Sequence, residues 1–268
     1  MPVLEALVLG AVQGLTEFIP ISSSGHLVLV PEALGWGEPG LAFDVLLHVA
    51  SLIALLVYFS GDLIDLARGS MAGDAAARRL VGLLALGTIP AVIAGVALGD
   101  YFEGTFEDAE AAAVQLVVTA AILVAAEQAL AFHERRRAET GGRLRTMEDL
   151  NAADAGLVGV AQAVSILPGI SRSGATIAAG LALATRREDA ARFSFLLAIP
   201  ALLGAALVKV PDLGETSLGV GSYVAGFVAS LVTSYAAIAI LIKYLKTRSL
   251  YPFAAYCVVA GVLFYVAV

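Results

Sequence analysis

Six long apolar segments limit what this chain of 268 residues can fold into. A helix needs about 20 mostly apolar residues to cross the hydrocarbon core of a bilayer. Each of the six segments approaches or exceeds that length and carries few charges, so the sequence predicts an all-α integral membrane protein with six transmembrane helices. The predicted spans are Ala42–Phe59, Leu80–Gly99, Ala111–Phe132, Phe193–Val210, Gly219–Ile242 and Tyr251–Val268.

The composition agrees with a membrane protein. Hydrophobic residues make up 59% of the chain and charged residues 15%, and the mean hydropathy is +0.89. Ordinary soluble domains have about 25% charged residues, so these values exclude a disordered chain, a nucleic-acid-binding protein and a typical soluble enzyme. Cys257 is the only cysteine, which excludes a disulfide within the chain. We expect no cleavable signal peptide, because no basic residue precedes the first apolar stretch.

Two further apolar regions, Val3–Leu34 and Ala152–Thr185, are interrupted near the middle by proline, glycine and clustered serines. Each half has about 12–15 residues, which is too few to cross a bilayer. We predict that each region is a re-entrant pair of half-helices that turns at mid-depth and leaves on the side it entered. Such a turn is tolerated only where it is buried in protein or lines a polar cavity.

The charges between the spans predict the orientation. Four segments are rich in arginine and lysine, and the positive-inside rule places them in the cytoplasm. Acidic residues dominate Asp100–Glu110 and Pro211–Leu218. Six spans and two re-entrant regions put every basic segment on one side and both acidic loops on the other. Both termini then lie outside, and the first re-entrant region opens outward. The basic segments are Gly61–Arg79, His133–Asn151, Arg186–Arg192 and Lys243–Arg248.

The two halves of the chain also repeat each other at an offset of 149 residues. Each repeat holds one re-entrant region and three spans, so the halves are expected in opposite orientations, with a site at their interface near the midplane. We expect one membrane domain over residues 1–268: a first repeat of about 1–132, a cytoplasmic loop of about 133–151 and a second repeat of about 152–268. The matching residues are Gly10, Gln13, Ser22, Ser24 and Gly25 with Gly159, Gln162, Ser171, Ser173 and Gly174.

The first broken region carries a carboxylate, three serines and a histidine. Gln13 and Glu17 are four residues apart and share one helix face. After Pro20, Ser22–Ser24 stand at the predicted start of the next half-helix, where serine is a favoured cap and free backbone N–H groups attract phosphate. His26 lies one turn into that helix.

The second broken region repeats this arrangement with a guanidinium. Ser171, Arg172 and Ser173 follow a Pro-Gly break and precede Gly174 and Thr176. Arginine is always charged and grips phosphate with two parallel hydrogen bonds. Ionisable groups inside a membrane are costly and usually functional.

Each feature also has a structural interpretation. The serines could be helix caps only, Arg172 an interfacial anchor, and His26 a hydrogen-bonded core residue. Asp44 and His48 share a helix face, but helix packing explains them equally well, so we do not assign them to the site. The combination of two opposed helix starts, one with a carboxylate and one with a guanidinium, favours a site for a phosphorylated group at mid-membrane.

These motifs resemble those of a known family. The pattern Gln13-x-x-x-Glu17 with Pro-x-Ser-Ser-x-Gly-His26 resembles the first signature of the undecaprenyl-diphosphate phosphatases of the bacitracin-resistance type. The pattern Pro168-Gly-x-Ser-Arg-Ser-Gly-x-Thr176 resembles the second, and Phe193–Pro200 is similar to the helix that follows it. The resemblance covers essentially the whole chain. Position 13 is glutamine where many members have glutamate, so a metal site here has less charge.

The resemblance implies a multi-pass hydrolase of the cytoplasmic membrane. Its substrate is expected to be a polyprenyl diphosphate lipid, converted to the monophosphate plus inorganic phosphate, which recycles the carrier for cell-wall peptidoglycan and other surface glycans. The resemblance further implies dependence on Mg²⁺ or Ca²⁺, an active site open to the outside and a homodimer. No nucleic-acid partner is expected.

On this basis, Glu17, Ser23, His26 and Arg172 are the expected catalytic residues. Ser23 is the preferred nucleophile and His26 the general acid/base; direct attack by His26 and a metal-bound water stay open as alternatives. The metal ligands are expected to be Gln13 and Glu17. A secondary transporter or lipid flippase is the rival function, because inverted repeats with broken helices are typical of such proteins. The expected substrate-binding residues are Ser22, Ser24, Ser171, Ser173, Gly174 and Thr176.

Overall fold

The computed structural model describes residues 1–37, 40–97, 108–209 and 218–267. These residues form eleven α-helices and one short 3₁₀ turn, Met147–Asp149. The only β-type pairing among them is an isolated bridge between Arg145 and Thr185. The helices are α1 (Val3–Phe18), α2 (Ser23–Leu34), α3 (Leu41–Tyr58), α4 (Ser60–Ala72), α5 (Ala75–Ala97), α6 (Ala109–Thr140), α7 (Ala152–Val164), α8 (Arg172–Ala182), α9 (Arg187–Lys209), α10 (Val220–Leu245) and α11 (Tyr251–Ala267).

Five of these helices, α3, α5, α6, α9 and α10, are long and apolar enough to cross a membrane. They coincide with five of the six predicted spans, and the all-helical prediction is confirmed for the described part of the chain. The sixth predicted span coincides with α11, which is apolar but has only 17 described residues. Whether α11 crosses the bilayer stays a prediction.

Two segments predicted as loops are largely helical. The basic segment after the first span forms α4, which ends at Gly73 with a φ of 87°. Helix α6 continues eight residues beyond Phe132 and ends at Gly141, also in the left-handed region. The end of α6 is rich in arginine, glutamate and alanine, which favour helix, and both helices end where a glycine adopts the left-handed conformation. The acidic loops fall mainly on residues 100–107 and 211–217, outside the described residues, as do the last residues of three predicted spans (98–99, 210 and 268).

Both predicted interruptions are present. Pro20 keeps Ile19 in an extended conformation, so α1 ends at Phe18. The chain then turns through Ser22, which has a φ of 69°, and α2 begins at Ser23. In the second region the chain leaves α7, turns through Gly169 at a φ of 89°, and begins α8 at Arg172.

Equivalent glycines of the two halves make equivalent contacts. A Cβ atom added to Gly10 in α1 would lie 2.2 Å from the carbonyl oxygen of Gly226 in α10. A Cβ atom added to Gly159 in α7 would lie 2.3 Å from the carbonyl oxygen of Gly87 in α5. Small residues of this kind let membrane helices approach closely. Each interrupted region is therefore packed backbone to backbone against a long helix of the opposite half.

A buried aromatic cluster lies next to the first interruption. The Phe18 and Phe195 rings meet edge to face with centroids 5.3 Å apart, and the centroid of the Phe59 ring lies 6.4 Å from that of Phe195. All three side chains are fully buried. Since Phe18 follows Glu17 directly, this packing fixes the end of α1 against α3 and α9.

A second buried contact fixes the start of α11. Glu127 in α6 accepts hydrogen bonds from Arg187 (2.6 Å) and from the backbone N–H of Leu250 (2.8 Å). The carboxylate is 1% exposed, so its charge is satisfied by these protein donors. This contact ties the beginning of α11 to α6 and α9.

The glycine contacts predict a difference between substitutions in the same kind of helix. Gly10→Ala and Gly159→Ala should each lower the free energy of unfolding by about 1–3 kcal/mol, because the added methyl group meets rigid backbone. Gly82→Ala is the control: it has no neighbour within 4 Å, and alanine favours helix by about 0.5–1 kcal/mol. Thermal unfolding in detergent measures all three. Equal stabilities of Gly10→Ala and Gly82→Ala would contradict the packing.

Candidate active site

Glu17 is the centre of a buried polar cluster that joins both interrupted regions. Its Oε1 accepts a hydrogen bond from Arg172 Nη2 at 2.6 Å, although the two residues are 155 positions apart. Its Oε2 accepts from Ser23 Oγ at 2.6 Å and from Gln13 Nε2 at 3.0 Å. Glu17 is 6% exposed. The structure thus brings together four of the residues that the sequence assigned to the site.

Two atoms at the edge of this cluster lack a protein partner among the described residues. Arg172 Nη1 and Gln13 Oε1 are both buried without a hydrogen bond. Buried polar groups are nearly always paired, so an unpaired one requires an explanation such as a ligand, an ion or water. Here the unpaired atoms are a guanidinium donor and an amide acceptor on either side of one carboxylate.

The two helix starts meet at this cluster. Ser22 Oγ accepts from the N–H of Gly25 at 3.3 Å, and Ser171 Oγ accepts from the N–H of Gly174 at 3.0 Å, so both predicted caps are present. The N–H of Gly169 donates to Ser24 Oγ at 3.4 Å. Positive ends of two helices therefore converge on a small volume, an arrangement that favours an anion.

The remaining predicted binding residues of the second region have other partners. Ser173 Oγ donates to the carbonyl of Ile19 at 3.4 Å and lies 3.2 Å from Ser171 Oγ. Thr176 Oγ1 donates to the carbonyl of Arg172 at 2.8 Å and lies 2.6 Å from Ser194 Oγ. These hydroxyls tie the start of α8 to α1 and α9. Their predicted contact with substrate stays a prediction.

His26 lies apart from the Glu17 cluster. Its Nδ1 is 2.7 Å from the carbonyl oxygen of Ser22, and its Nε2 is 2.7 Å from the hydroxyl of Tyr256 in α11. The ring is 3% exposed. Ser23 and His26 are three residues apart on α2, so they lie on neighbouring positions of one helix face.

Three residues at the site were missed by the sequence reasoning. His48 Nε2 lies 3.8 Å from Glu17 Oε2. Thr119 Oγ1 donates to the carbonyl of Gly169 at 2.9 Å and accepts from the N–H of Ser171 at 3.1 Å. The spacing of Asp44 and His48 within a span was the available signal for His48. No local pattern distinguishes Thr119 or Tyr256 from the other hydroxyl-bearing residues of the spans.

Comparison of the sequence with known proteins identifies the family. The family model described as "Bacitracin resistance protein BacA" matches residues 6–263. The chain belongs to the BacA family. The match includes both interrupted regions, so every residue of the Glu17 cluster lies within the part that defines the family.

Relatives of this family match along nearly their whole length. A protein of Methanosphaera stadtmanae is 39% identical over 98% of this chain and 97% of its own length. A protein of Gloeobacter violaceus is 44% identical over 97% and 90%, and one of Alcanivorax borkumensis is 43% identical over 98% of each chain. All three are named undecaprenyl-diphosphatase.

The side chains at the cluster fit a divalent cation only if other ligands complete its shell. Among the described residues, no group of three or more histidine, cysteine or acidic side chains is placed to hold a metal. Glu17 and the unpaired Oε1 of Gln13 offer hard oxygen donors. Mg²⁺ in phosphate sites is commonly held by one or two carboxylates together with water and substrate phosphate. The oxygen donors of Glu17 and Gln13 fit a site of that kind, in which water and substrate phosphate supply the other ligands.

The buried ion pair predicts that a neutral substitution of its carboxylate lowers the free energy of unfolding more than the same substitution in an exposed ion pair. Glu17→Gln should lower the free energy of unfolding by about 3–5 kcal/mol, because it leaves Arg172 buried without a countercharge. The control is Glu134→Gln. This carboxylate is 43% exposed and lies 3.4 Å from Arg187, so its loss should cost at most about 1 kcal/mol. Thermal unfolding in detergent compares the two. Similar losses would mean that the Glu17–Arg172 pair does not stabilise the fold.

Proposed function

We propose that this protein is an undecaprenyl-diphosphatase. It hydrolyses undecaprenyl diphosphate to the monophosphate plus inorganic phosphate and so recycles the lipid carrier of peptidoglycan and other surface glycans. The observation that carries the proposal is the unpaired Arg172 Nη1, which is buried beside two converging helix starts and a serine bonded to Glu17. Full-length relatives named undecaprenyl-diphosphatase support the same reaction.

Binding of the diphosphate follows from the positive groups at the cluster. Arg172 donates from Nη1 to a phosphate oxygen while its Nη2 stays on Glu17. Backbone N–H groups at the starts of α2 and α8 are further donors, and Ser22, Ser24, Ser171, Ser173 and Gly174 line these two turns. A charged guanidinium and two helix dipoles neutralise the phosphate, which is most of what phosphoryl transfer requires.

Hydrolysis then proceeds in two steps. Ser23 Oγ gives its proton to the acid/base group and attacks the terminal phosphorus, the bond from that phosphorus to the bridging oxygen breaks, and the polyprenyl monophosphate leaves and receives that proton. Water next attacks the phosphoserine, which releases inorganic phosphate and restores the hydroxyl. The 2.6 Å hydrogen bond from Ser23 to Glu17 supports this choice of nucleophile, since it orients the hydroxyl. We assign His26, one turn further along α2, as the acid/base group.

We further propose that Gln13 and Glu17 hold a Mg²⁺ or Ca²⁺ ion together with the substrate. When bound, the cation supplies positive charge that offsets the charge on the transferring phosphoryl group. Gln13 brings no charge to this site, so the affinity for the cation in the absence of substrate should be low.

The rival function, a transporter or flippase, is not favoured. A transporter needs an anion clamp but no nucleophile, whereas Ser23 is held at the clamp by a carboxylate. The relatives are named for a hydrolase.

Around this site we propose six spans and two re-entrant regions in an inverted repeat, within the cytoplasmic membrane. The matching contacts of Gly10 with Gly226 and of Gly159 with Gly87 support the repeat, with halves of about 1–132 and 152–268. The charge bias of the connecting segments supports a site that opens outward. The homodimer implied by the resemblance stays a prediction.

Phosphate release tests the activity. Purified protein in detergent should release inorganic phosphate from undecaprenyl diphosphate, and EDTA should stop the reaction until Mg²⁺ or Ca²⁺ is restored. Binding of the lipid without release of phosphate would support transport instead. Full activity in EDTA would reject the proposed metal site without rejecting the hydrolase.

Arg172→Lys tests the clamp. Lysine keeps the charge but lacks the planar fork that presents one nitrogen to Glu17 and another to phosphate, so kcat/KM should fall by about 30- to 1000-fold, the effect of losing roughly 2–4 kcal/mol of transition-state stabilisation. Arg136→Lys, at an exposed position on α6, is the control. A rate within threefold of wild type would reduce Arg172 to a structural anchor.

Cysteine labelling tests the orientation. In a Cys257→Ala background, Ala33→Cys at the exposed end of α2 should react with an impermeant thiol reagent in intact cells, because that end faces outward. Arg136→Cys should react only after the cells are opened. The reverse pattern would mean that the site opens to the cytoplasm.

A further inference from the structure

The environment of His26 fixes which of its ring nitrogens carries a proton. Nδ1 lies 2.7 Å from the carbonyl oxygen of Ser22, and a carbonyl can only accept, so Nδ1 must be the donor. In the neutral ring, Nε2 is then the acceptor. The group that faces it is the hydroxyl of Tyr256 at 2.7 Å, which therefore donates. The hydrogen bond made by one ring nitrogen sets the role of the other.

Helix α11 holds this arrangement in place. The Tyr256 and His26 rings are stacked, with centroids 5.7 Å apart and planes within 12°, and Phe264 meets the His26 ring edge-on at 6.2 Å. His26 is buried, whereas Tyr256 is 43% exposed. The contact of Glu127 with the N–H of Leu250 anchors the start of the same helix. His26 is thus enclosed by aromatic side chains from a helix more than 220 residues away in sequence.

We infer that Tyr256 is a positioning residue for the hydrolysis, acting through His26. This inference rests on the proposed function, in which His26 is the acid/base group. With Nδ1 committed to Ser22, only Nε2 can exchange a proton with the reaction, and that atom is held by the Tyr256 hydroxyl. The Ser22 carbonyl sets the tautomer of the ring, and Tyr256 holds its orientation from the other nitrogen. The competing interpretation is that the His26 ring and the Tyr256 hydroxyl satisfy each other's hydrogen-bonding capacity and do nothing more.

Tyr256→Phe separates the two interpretations, because it removes the hydroxyl and keeps the stacked ring. We expect kcat for undecaprenyl diphosphate to fall about 3- to 10-fold, the effect of one hydrogen bond, with KM changed less than about twofold. Tyr265→Phe is the matched control: it removes a hydroxyl from the exposed side of the same helix and should leave kcat unchanged. Tyr256→Phe should be the less stable of the two variants in thermal unfolding, because it leaves the buried Nε2 without a partner, so kcat is compared at a temperature at which both variants are folded.

Nitrogen-15 spectra of the histidines give a readout that does not depend on turnover. The chain has three histidines, so the signals of His26 are assigned by comparison with His26→Gln. The wild type should have His26 protonated at Nδ1, and Tyr256→Phe should shift its Nε2 signal while those of His48 and His133 stay. Tyr265→Phe should shift none of them.

The outcomes are distinct. A lower kcat together with a shifted Nε2 signal supports the inference. A shifted signal with the kcat of the control overturns it in favour of mutual polar satisfaction. An unshifted signal, or a wild-type ring protonated at Nε2, removes the hydrogen bond on which it rests. Wild-type protein that releases no phosphate would reject the proposed function itself, whatever the spectra report.

Discussion

The buried ion pair between Glu17 and Arg172 is the contact on which the rest of the site depends. Each charge would be costly if it were buried alone, so the two must be brought together by folding. One stands at the end of α1 and the other at the start of α8, which places the two interrupted regions against each other. Breaking such a pair costs more than the pair contributes when intact, because a lone buried charge remains. The pair therefore favours the packing in which the end of α1 lies against the start of α8.

Close backbone packing makes that juxtaposition sterically feasible. Short half-helices bury too little apolar surface to hold their place by side-chain packing alone. Gly10 and Gly159 instead let α1 and α7 rest on the backbones of α10 and α5. The first N–H groups of a helix have no partner within it, and each of the caps Ser22 and Ser171 satisfies one of them. Helix starts of this kind are the physical basis of the proposed diphosphate site.

Ser23 and His26 belong to the same motif, but their side chains have different partners. Ser23 points toward Glu17, where phosphate chemistry is expected, whereas His26 points toward α11. One short helix thus presents the Ser23 hydroxyl to one set of partners and an imidazole to another. This division explains why a residue of the last helix, Tyr256, belongs to the description of the first motif.

The sequence alone determined the all-helical class, the positions of the interruptions and the residues of the Glu17 cluster. Apolar length, proline, glycine and capping serines act locally along the chain and can be recognised without coordinates. It misjudged α4 and the end of α6, where charged but helix-favouring residues continue the helix. Only the tertiary structure decided which donors reach Glu17, that His48 lies beside it, and that His26 is paired with Tyr256. Apart from the local bonds of Gln13 and Ser23 to Glu17, those contacts join residues tens to hundreds of positions apart, and their geometry depends on how the helices pack.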